Sequence, residues 1–248
     1  MALIRERLDK LLVERGLVAS RARARALIME GKVKVDGHPV TKAGEMVISD
    51  AQIDLKGEDM PYVSRGGLKL EAALKHFEIF VQDKVAMDVG ASTGGFTDVM
   101  LQKGVRRVYC IDVGYGQLAW KLRQDPRVVL LERTNIRSLE RQRIPESIDI
   151  ATIDVSFISL NKVIPKVLEF ISDGGEIVAL IKPQFEVGKG EVGKGGIVKD
   201  SAKRHAAVER VRNELQEFGL HIMGIIESPI LGQKGNMEYL IHCIRELA

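Results

Sequence analysis

Apolar residues after residue 84 occur with two different spacings along the chain. Short apolar runs alternate with longer segments whose apolar residues recur every three or four positions, which predicts strands alternating with helices. The predicted strands are 84–89, 106–112, 128–131, 147–154 and 175–183, the predicted helices are 96–102, 160–171 and 200–218, and two further strands, 221–226 and 239–244, form an antiparallel pair. This order predicts an α/β fold, a Rossmann-like domain with a doubly wound, mainly parallel sheet of seven strands.

The first 60 residues have a different pattern, typical of a small α+β domain. Ser20 is placed to cap a helix, and Asp36-Gly37 is a hairpin turn signal. The predicted elements are helices over 5–15 and 21–30, a strand over 32–35, and short strands near 40 and at 53–55. Residues 56–61 are polar and contain Gly and Pro, which indicates a connection. We therefore predict a domain over 1–60, a linker over 61–67 and a second domain over 68–248.

The turn after the first strand of the larger domain contains Asp88, Gly90, Ser92, Gly94 and Gly95. Glycines let the backbone turn tightly and let a ligand approach the main chain. The spacing D-x-G-x-S-x-G-G is not the dinucleotide pattern G-x-G-x-x-G, and the Asp88 carboxylate would repel a pyrophosphate. The segment resembles motif I of S-adenosylmethionine-dependent methyltransferases. A glycine turn in another kind of α/β protein remains an alternative.

Asp112 ends the second predicted strand, 24 positions after Asp88. This is near the offset of about 20 residues at which a carboxylate accepts hydrogen bonds from ribose hydroxyls. The ribose of either S-adenosylmethionine or a dinucleotide could donate these hydrogen bonds to Asp112. A dinucleotide-dependent oxidoreductase is therefore a further alternative, although the glycine turn disfavours it.

Two more charged residues, Asp154 and Lys182, end predicted strands. Ligands bind at the carboxyl ends of parallel strands, and a lysine that ends an apolar strand is costly unless it is paired or lies in a cleft. Residues 188–194 satisfy the P-loop spacing G-x-x-x-x-G-K, but Gly195 replaces the Ser or Thr that would bind magnesium. We interpret this segment as a flexible basic loop beside the site.

Composition narrows the class of protein. The chain is 45% hydrophobic with a net charge of +3, and no apolar run is long enough to span a membrane. Cys110 and Cys243 lie in apolar runs, which indicates buried free thiols and neither a disulfide framework nor a zinc site. Because the amino terminus has no apolar signal-peptide core, we expect a cytoplasmic protein.

The charge is distributed unevenly along the predicted small domain. Residues 1–35 contain nine Lys and Arg against four acids, whereas residues 36–60 contain two bases against six acids. A basic face of this kind attracts a phosphate backbone.

The small domain resembles the S4 RNA-binding domain in three segments, RLDxLLVxRGL at 7–17, SRxxA at 20–24 and GxVxVDG at 31–37. That family binds structured RNA through the positive surface of its two helices and the following turn. The resemblance implies RNA-binding roles for Arg5, Arg7, Arg15, Arg21, Arg25 and Lys32, and we add Arg65 from the linker. The alternative is a small module with a solvated charged face.

Lys69, Asp154, Lys182 and Glu238 resemble, in that order, the K-D-K-E tetrad of FtsJ-like ribose 2′-O-methyltransferases. With the S4-like domain and the segment YVSRGG at 62–67, nearly the whole chain resembles the TlyA family, also labelled hemolysin A. The resemblance implies methylation of the ribose 2′-hydroxyl of cytidines in ribosomal RNA, with 23S rRNA favoured by the short chain and 16S rRNA as a second candidate. It implies S-adenosylmethionine as cofactor, with Asp88, Gly90, Ser92, Gly94, Gly95, Asp112 and Asn135 as its binding residues.

The tetrad would act by positioning the hydroxyl and removing its proton. A lysine near a second cation in a partly desolvated pocket releases its own proton more easily and can act as a base. We therefore assign Lys182 as base, Asp154 and Glu238 as residues that orient the lysines, and Lys69 as a residue that positions the hydroxyl. We expect no metal, because the methyl donor is already activated, and we expect a monomer whose partners are ribosomal subunits.

Two other classes remain open. One is a non-catalytic RNA-binding or ribosome-assembly factor that keeps a cofactor fold, which the complete tetrad disfavours. The other is a pore-forming hemolysin, which the absence of an apolar span disfavours.

Overall fold

The structure is a computed structural model that describes residues 4–18, 20–55, 60–188, 190–193 and 195–246. The chain divides into two compact units, Met1–Pro61 and Tyr62–Ala248. Residues 62–67 of the predicted linker therefore belong to the second unit, where Tyr62 is buried and packs against Gly67. The polar residues 56–59, also predicted to connect the domains, lie outside the described residues.

The amino-terminal unit, as far as the structure describes it, has two helices and five short strands. Strand β2 pairs with β3 and β5, and β1 pairs with β4, all antiparallel. The strands are β1 (Arg5–Arg7), β2 (Val33–Val35), β3 (His38–Val40), β4 (Met46–Ile48) and β5 (Ile53–Leu55), and the helices are α1 (Leu8–Glu14) and α2 (Arg21–Met29). The predicted α+β class is confirmed for this unit.

The helix predicted over 5–15 is wrong at its start. Residues 5–7 form β1, in which Arg5 lies opposite Ile48 of β4. The apolar helical spacing begins only at Leu8, and the three preceding residues gain their backbone partners from a strand that the sequence pattern did not reveal. The predicted cap on α2 is present, since the Ser20 side chain accepts a hydrogen bond from the Arg23 backbone at 3.2 Å.

Helices α1 and α2 pack their leucines against the β2 strand. Leu8, Leu12 and Ile28 are completely buried, and Val33 of β2 joins them. The core of this unit is therefore formed by one face of each helix, which leaves the opposite faces, where the arginines lie, to the solvent.

The second unit contains a seven-stranded sheet in the order β11-β12-β10-β9-β6-β7-β8. Its strands are β6 (Val85–Val89), β7 (Arg107–Ile111), β8 (Val128–Leu131), β9 (Ile148–Ile153), β10 (Ile171–Ile181), β11 (Leu220–Glu227) and β12 (Tyr239–Arg245). The five strands β6 to β10 pair in parallel, and β11 and β12 are antiparallel, as predicted.

Helices cover both faces of this sheet. They are α3 (Gly66–His76), α4 (Gly95–Gln102), α5 (Trp120–Arg123), α6 (Ile164–Leu168), α7 (Pro183–Glu186) and α8 (Ser201–Glu217). Alternate residues of β6 enter different cores: Val85, Met87 and Val89 join one cluster and Ala86 joins the other. A central strand that is buried on both faces is the mark of a doubly wound fold.

The helix predicted over 160–171 is wrong in extent. The segment has a 3₁₀ turn over Leu160–Lys162 and then the short helix α6, and Ile171 already begins β10. Pro165 explains the break, because proline has no backbone N–H and is tolerated only in the first turn of a helix, where it lies here.

Candidate active site

A cavity of about 380 Å³ lies at the carboxyl ends of the central strands and is bordered by all four predicted catalytic residues. Lys69 belongs to α3, Asp154 follows β9, Lys182 follows β10 and Glu238 precedes β12. Residues that are separated by up to 169 positions are thus brought to one edge of the sheet. We call this space the catalytic cavity.

The first pair in the catalytic cavity is Lys69 and Glu238. The Lys69 ammonium lies 2.5 Å from Glu238 Oε2, and the two side chains are only 10% and 3% exposed. The backbone of Gly232 passes so close to the Glu238 carboxylate that a Cβ there would overlap it. A lysine on an amphipathic helix is usually solvated, but here the structure buries Lys69 against its counter-charge.

The second pair is Lys182 and Asp154. The Lys182 ammonium lies 2.6 Å from Asp154 Oδ1 and donates a hydrogen bond to Ser156 Oγ at 3.0 Å. The Lys182 side chain is 11% exposed, and that of Asp154 is 25% exposed. The base proposed from the sequence therefore borders the cavity in contact with the carboxylate proposed to orient it.

The glycine turn after β6 lies close to the backbone of Asp154. Gly90 has φ +85°, and a Cβ on it would lie 2.5 Å from the Asp154 carbonyl oxygen. Gly94 has φ +93° and caps the start of α4, while a Cβ on Gly95 would overlap the Ser64 hydroxyl. A side chain at Gly90 would push the turn away from the strand end, and side chains at the other two positions would overlap Leu122 and Ser64, which is the physical reason for the glycines.

Asp112 links the glycine turn to the loop after β7. Its Oδ2 accepts from the Ser92 backbone N–H and its Oδ1 from the Gly114 backbone N–H, both at 2.7 Å. The residue borders a second cavity of about 760 Å³, which Asn135 also lines. The Asn135 side chain caps a 3₁₀ turn by accepting from the Arg137 backbone at 3.1 Å.

The second cavity and the catalytic cavity share a wall. Gly90, Ser92, Asp154 and Phe157 border both of them. A ligand extending from Asp112 toward Asp154 would therefore run along the carboxyl ends of the strands and reach the catalytic cavity at its far end. This arrangement fits an elongated nucleoside cofactor whose reactive end faces the tetrad.

Asp88, a further candidate for cofactor binding, lies beneath the catalytic cavity and is completely buried. Thr97 donates to its Oδ2 at 2.6 Å and Thr152 to its Oδ1 at 3.1 Å. Burial raises the pKa of this carboxyl to about 6, although the two hydroxyl hydrogen bonds oppose the shift. Both of its oxygens are thus engaged in holding β6 to β9 and α4.

The predicted RNA-binding residues fall into different environments. Arg7, Arg21 and Arg25 converge on the carboxylate of Asp9. Arg15 instead donates to the carbonyl oxygens of residues 49 and 51, and Lys32 pairs with Glu30 at 2.7 Å. In the second unit, the exposed Arg65 lies 3.4 Å from the carbonyl of residue 231. Arg5 is an exposed residue of β1.

Several residues of the catalytic cavity were not predicted from the sequence. Ser156 contacts Lys182, and Phe157, with φ +64° and 87% exposed, lies 5.0 Å from the Phe185 ring. Lys234 and Asn236 border the cavity as well. The segments DVSF and KPQF next to Asp154 and Lys182 were the available signal. The basic loop residues Lys189 and Lys194 lie outside the described residues.

Within the described part of the chain, no group of three or more His, Cys, Asp or Glu side chains is arranged to hold a metal ion. No described helix has both the length and the apolar character that a membrane span requires.

Two family models match the chain in the places where its two units lie. The model for FtsJ-like methyltransferases matches residues 62–245, and the model for the S4 domain matches residues 6–53. The second unit is therefore a methyltransferase domain, and the first is an S4 domain.

Whole-chain relatives have the same arrangement. The 16S/23S rRNA (cytidine-2′-O)-methyltransferase TlyA of Mycobacterium tuberculosis is 47% identical over 238 residues, which covers 96% of this chain and 89% of that protein. A Bacillus subtilis protein, provisionally named an rRNA methyltransferase, is 47% identical over 239 residues and covers 96% of this chain and 85% of its own length. A Streptococcus thermophilus structure, provisionally described as a hemolysin, matches with a TM-score of 0.77 and 44% identity over 99% of this chain and 90% of that one. The chain belongs to the TlyA family, in which an S4 domain precedes an FtsJ-like methyltransferase domain.

Proposed function

We propose that this protein uses S-adenosylmethionine to methylate the ribose 2′-hydroxyl of a cytidine in ribosomal RNA. The observation that carries the proposal is the contact of Lys182 with Asp154 and Ser156 at the wall between the two cavities. A base at that wall can reach a hydroxyl in one cavity while the methyl donor occupies the other. The name of the M. tuberculosis relative supports the same reaction.

The second cavity and the glycine turn supply the cofactor residues of this proposal. Bound there, S-adenosylmethionine supplies a methyl group activated by its sulfonium charge. Asp112, held by two backbone N–H groups, is oriented to accept from ribose hydroxyls. Gly90 lets the main chain approach the ligand, and Asn135 also lines the second cavity. The rest of the turn consists of Ser92, Gly94 and Gly95. Asp88 supports the turn from beneath, because its hydrogen bonds hold β6, the strand that leads into the turn.

Lys182 accepts the proton of the 2′-hydroxyl in this mechanism. A sugar hydroxyl is a weak nucleophile and must lose its proton as it attacks. Lys182 accepts that proton as the neutral amine, so its own ammonium proton must first pass to the solvent. Asp154 holds the Lys182 nitrogen on the cofactor side of the cavity, and Ser156 fixes it from a second direction. With its position fixed from two sides, the base contributes through orientation as well as basicity.

Lys69 and Glu238 form the positioning half of the tetrad. The Lys69 ammonium has donors left after its bond to Glu238, and it can donate to the ribose oxygen that faces it. Glu238 keeps the buried ammonium compensated and fixes its direction. The pair thus presents an oriented hydrogen-bond donor to the substrate.

The proposed substrate is a ribosomal RNA within its subunit, with 23S rRNA as the first candidate and 16S rRNA as the second. The two RNAs are both present in the name of the M. tuberculosis relative. An S4 domain on the same chain supports a structured RNA over a free nucleoside, because it supplies a basic surface that binds phosphate groups.

Methyl transfer to defined ribosomal substrates tests the proposal. The purified protein is incubated with methyl-labelled S-adenosylmethionine and undermethylated 30S subunits, 50S subunits, 70S ribosomes or free rRNA, with the Lys182→Ala variant as control. One portion of the labelled RNA is digested to nucleosides to identify the methylated nucleoside. In an intact portion, the methylated nucleotide is located by primer extension at a low concentration of nucleotide triphosphates. We expect label in 2′-O-methylcytidine of one or both subunits' RNA.

Label on a base, or no label on any substrate although calorimetry shows cofactor binding, would contradict the proposed reaction. The second of these results would favour a non-catalytic RNA-binding factor, and the subunit that is bound would then identify its site of action.

A further inference from the structure

Asp9 is an acidic residue at the centre of the basic surface of the S4 domain. Its side chain is completely buried, whereas the side chains of Arg7, Arg21 and Arg25 around it are 46%, 50% and 53% exposed. An acid in an RNA-binding surface would ordinarily weaken binding, because it repels phosphate. Attraction between charges of the domain and the RNA therefore does not explain why an acid lies at this position.

All three guanidinium groups are hydrogen-bonded to this single carboxylate. Arg7 donates from Nε and Nη2 at 3.0 and 3.1 Å, Arg21 from Nη2 at 2.9 Å and Arg25 from Nε at 3.1 Å. A guanidinium has five N–H donors, so each arginine keeps further donors for a ligand on its exposed side. One negative charge against three positive charges leaves the group cationic.

The backbone fixes where this carboxylate lies. Leu8 and Asp9 at the start of α1 donate their backbone N–H groups to the carbonyls of Glu45 and Ala43, at 2.9 and 3.2 Å. Arg7 packs across Gly44, where a Cβ would lie only 3.2 Å from the guanidinium. The anchor is therefore rigid, and the Arg7 hydrogen bonds, together with Arg21 and Arg25, hold the pKa of the Asp9 carboxyl far below its usual range.

We propose that Asp9 is a positioning residue that holds Arg7, Arg21 and Arg25 as a preformed site for a phosphodiester group of the RNA. This inference rests on the proposed function, because it takes RNA as the ligand. Arginine matches phosphate oxygens with paired N–H donors, and three forks that are already oriented lose less side-chain freedom on binding than three free ones. Arg15 and Lys32, which are engaged with other partners, do not belong to this site.

The variant Asp9→Asn distinguishes a positioning role of Asp9 from a pure charge effect, because the two predict opposite changes in RNA affinity. It removes a negative charge, so a surface that acts only through net charge would bind RNA more tightly. A positioning role predicts weaker binding, by about tenfold, because the three guanidiniums lose their common anchor. It also predicts that the slope of log affinity against log salt falls by about one, as for the loss of one phosphate contact.

Glu14→Gln is the matched control. Glu14 lies on the same helix, is about half exposed and pairs with Lys10 at 3.0 Å, so its variant changes the net charge by the same amount without touching Asp9. Dissociation constants are measured for the full-length protein with undermethylated 50S and 30S subunits across about 50 to 200 mM salt. We expect the control to bind within about twofold of the wild type.

Two further variants keep the test independent of whether Asp9→Asn folds. Arg21→Lys and Arg25→Lys retain the charge and the carboxylate but replace the fork by a single ammonium, and we expect severalfold weaker binding. Circular dichroism and thermal unfolding check the fold of every variant. Binding by folded Asp9→Asn, or by both lysine variants, that equals or exceeds the control overturns the inference alone. If the wild type binds neither subunit, the proposed function fails together with it.

Discussion

In the S4 domain one buried carboxylate, Asp9, is contacted by three half-exposed guanidinium groups, whereas in the catalytic cavity each buried lysine has a carboxylate of its own. The first arrangement leaves an excess of positive charge at the surface. The second is close to neutral, and its ion pairs are largely withdrawn from solvent.

The difference fits the task that we propose for each region. A surface that attracts a polyanion needs uncompensated positive charge, and ordered guanidiniums give it direction. A cavity that removes a proton from a neutral hydroxyl needs fixed positions, and buried pairs are stable only when each charge has its partner. We therefore expect changes in the S4 domain to alter RNA affinity and changes in the tetrad to alter the rate of transfer.

Lys182→Ala should have the largest effect on the rate. Without its base the 2′-hydroxyl keeps its proton, and we expect methyl transfer to fall by about a thousandfold or more. Affinity for S-adenosylmethionine, measured by calorimetry, should change little because the glycine turn and Asp112 remain intact. Transfer at the wild-type rate by this variant would remove Lys182 from its proposed role.

Glu238→Gln should have the next largest effect. It leaves the Lys69 ammonium buried without a counter-charge, so we expect transfer to fall about a hundredfold and the domain to lose stability. The matched control is Glu169→Gln, since Glu169 is an exposed acid paired with Lys166 at 2.8 Å. Single-turnover rates and urea unfolding measure the two effects. Equal behaviour of both variants would show that the Lys69 pair has no special part in the reaction.

Asp88→Asn should have the smallest effect on activity. Its main effect should be on how the stability of the protein changes with pH, which allows the buried acids Asp88 and Asp9 to be compared. Burial raises the pKa of Asp88 from 3.8 to about 6, so the folded state binds its proton more tightly than the unfolded chain does. The stability that this group contributes is complete below about pH 4 and is lost as the pH rises through 6, a change of about 3 kcal/mol. Urea unfolding across this range should therefore show a wild-type loss that Asp88→Asn does not share.

Asp9 should give the opposite slope, because its pKa is lowered and its contribution is lost as the pH falls. A stability difference between Asp88→Asn and the wild type that stays constant from pH 4 to 7 would contradict the account of Asp88.

The order of elements could be predicted from the sequence, because strand and helix periods are local properties. The fold class and the seven strands were confirmed, and so was the position of the Asp36-Gly37 turn between β2 and β3. The β1–β4 pair was missed, because three-residue strands have no period of their own and are defined by each other.

The side-chain partners could not be predicted from local patterns. The local sequence around Lys69 predicts a solvated lysine on a helix. Only Glu238, 169 positions later, explains why this side chain is buried. Asp9 likewise belongs to an ordinary helix start. Arg7 is only two positions away from it, but Arg21 and Arg25 become its partners only when α1 packs against α2. The tetrad was recognised through a family resemblance, and the arginine site became visible only in three dimensions.

The salt dependence of single-turnover methyl transfer by the wild-type protein tests the separation of binding from chemistry most directly. Between about 50 and 200 mM salt, the RNA concentration that gives the half-maximal rate should rise by about threefold for each phosphate contact that the S4 domain makes. The rate constant at saturating RNA should stay constant within about twofold, because the tetrad's charges are paired and largely buried. A saturating rate that falls in parallel with the affinity would contradict the account.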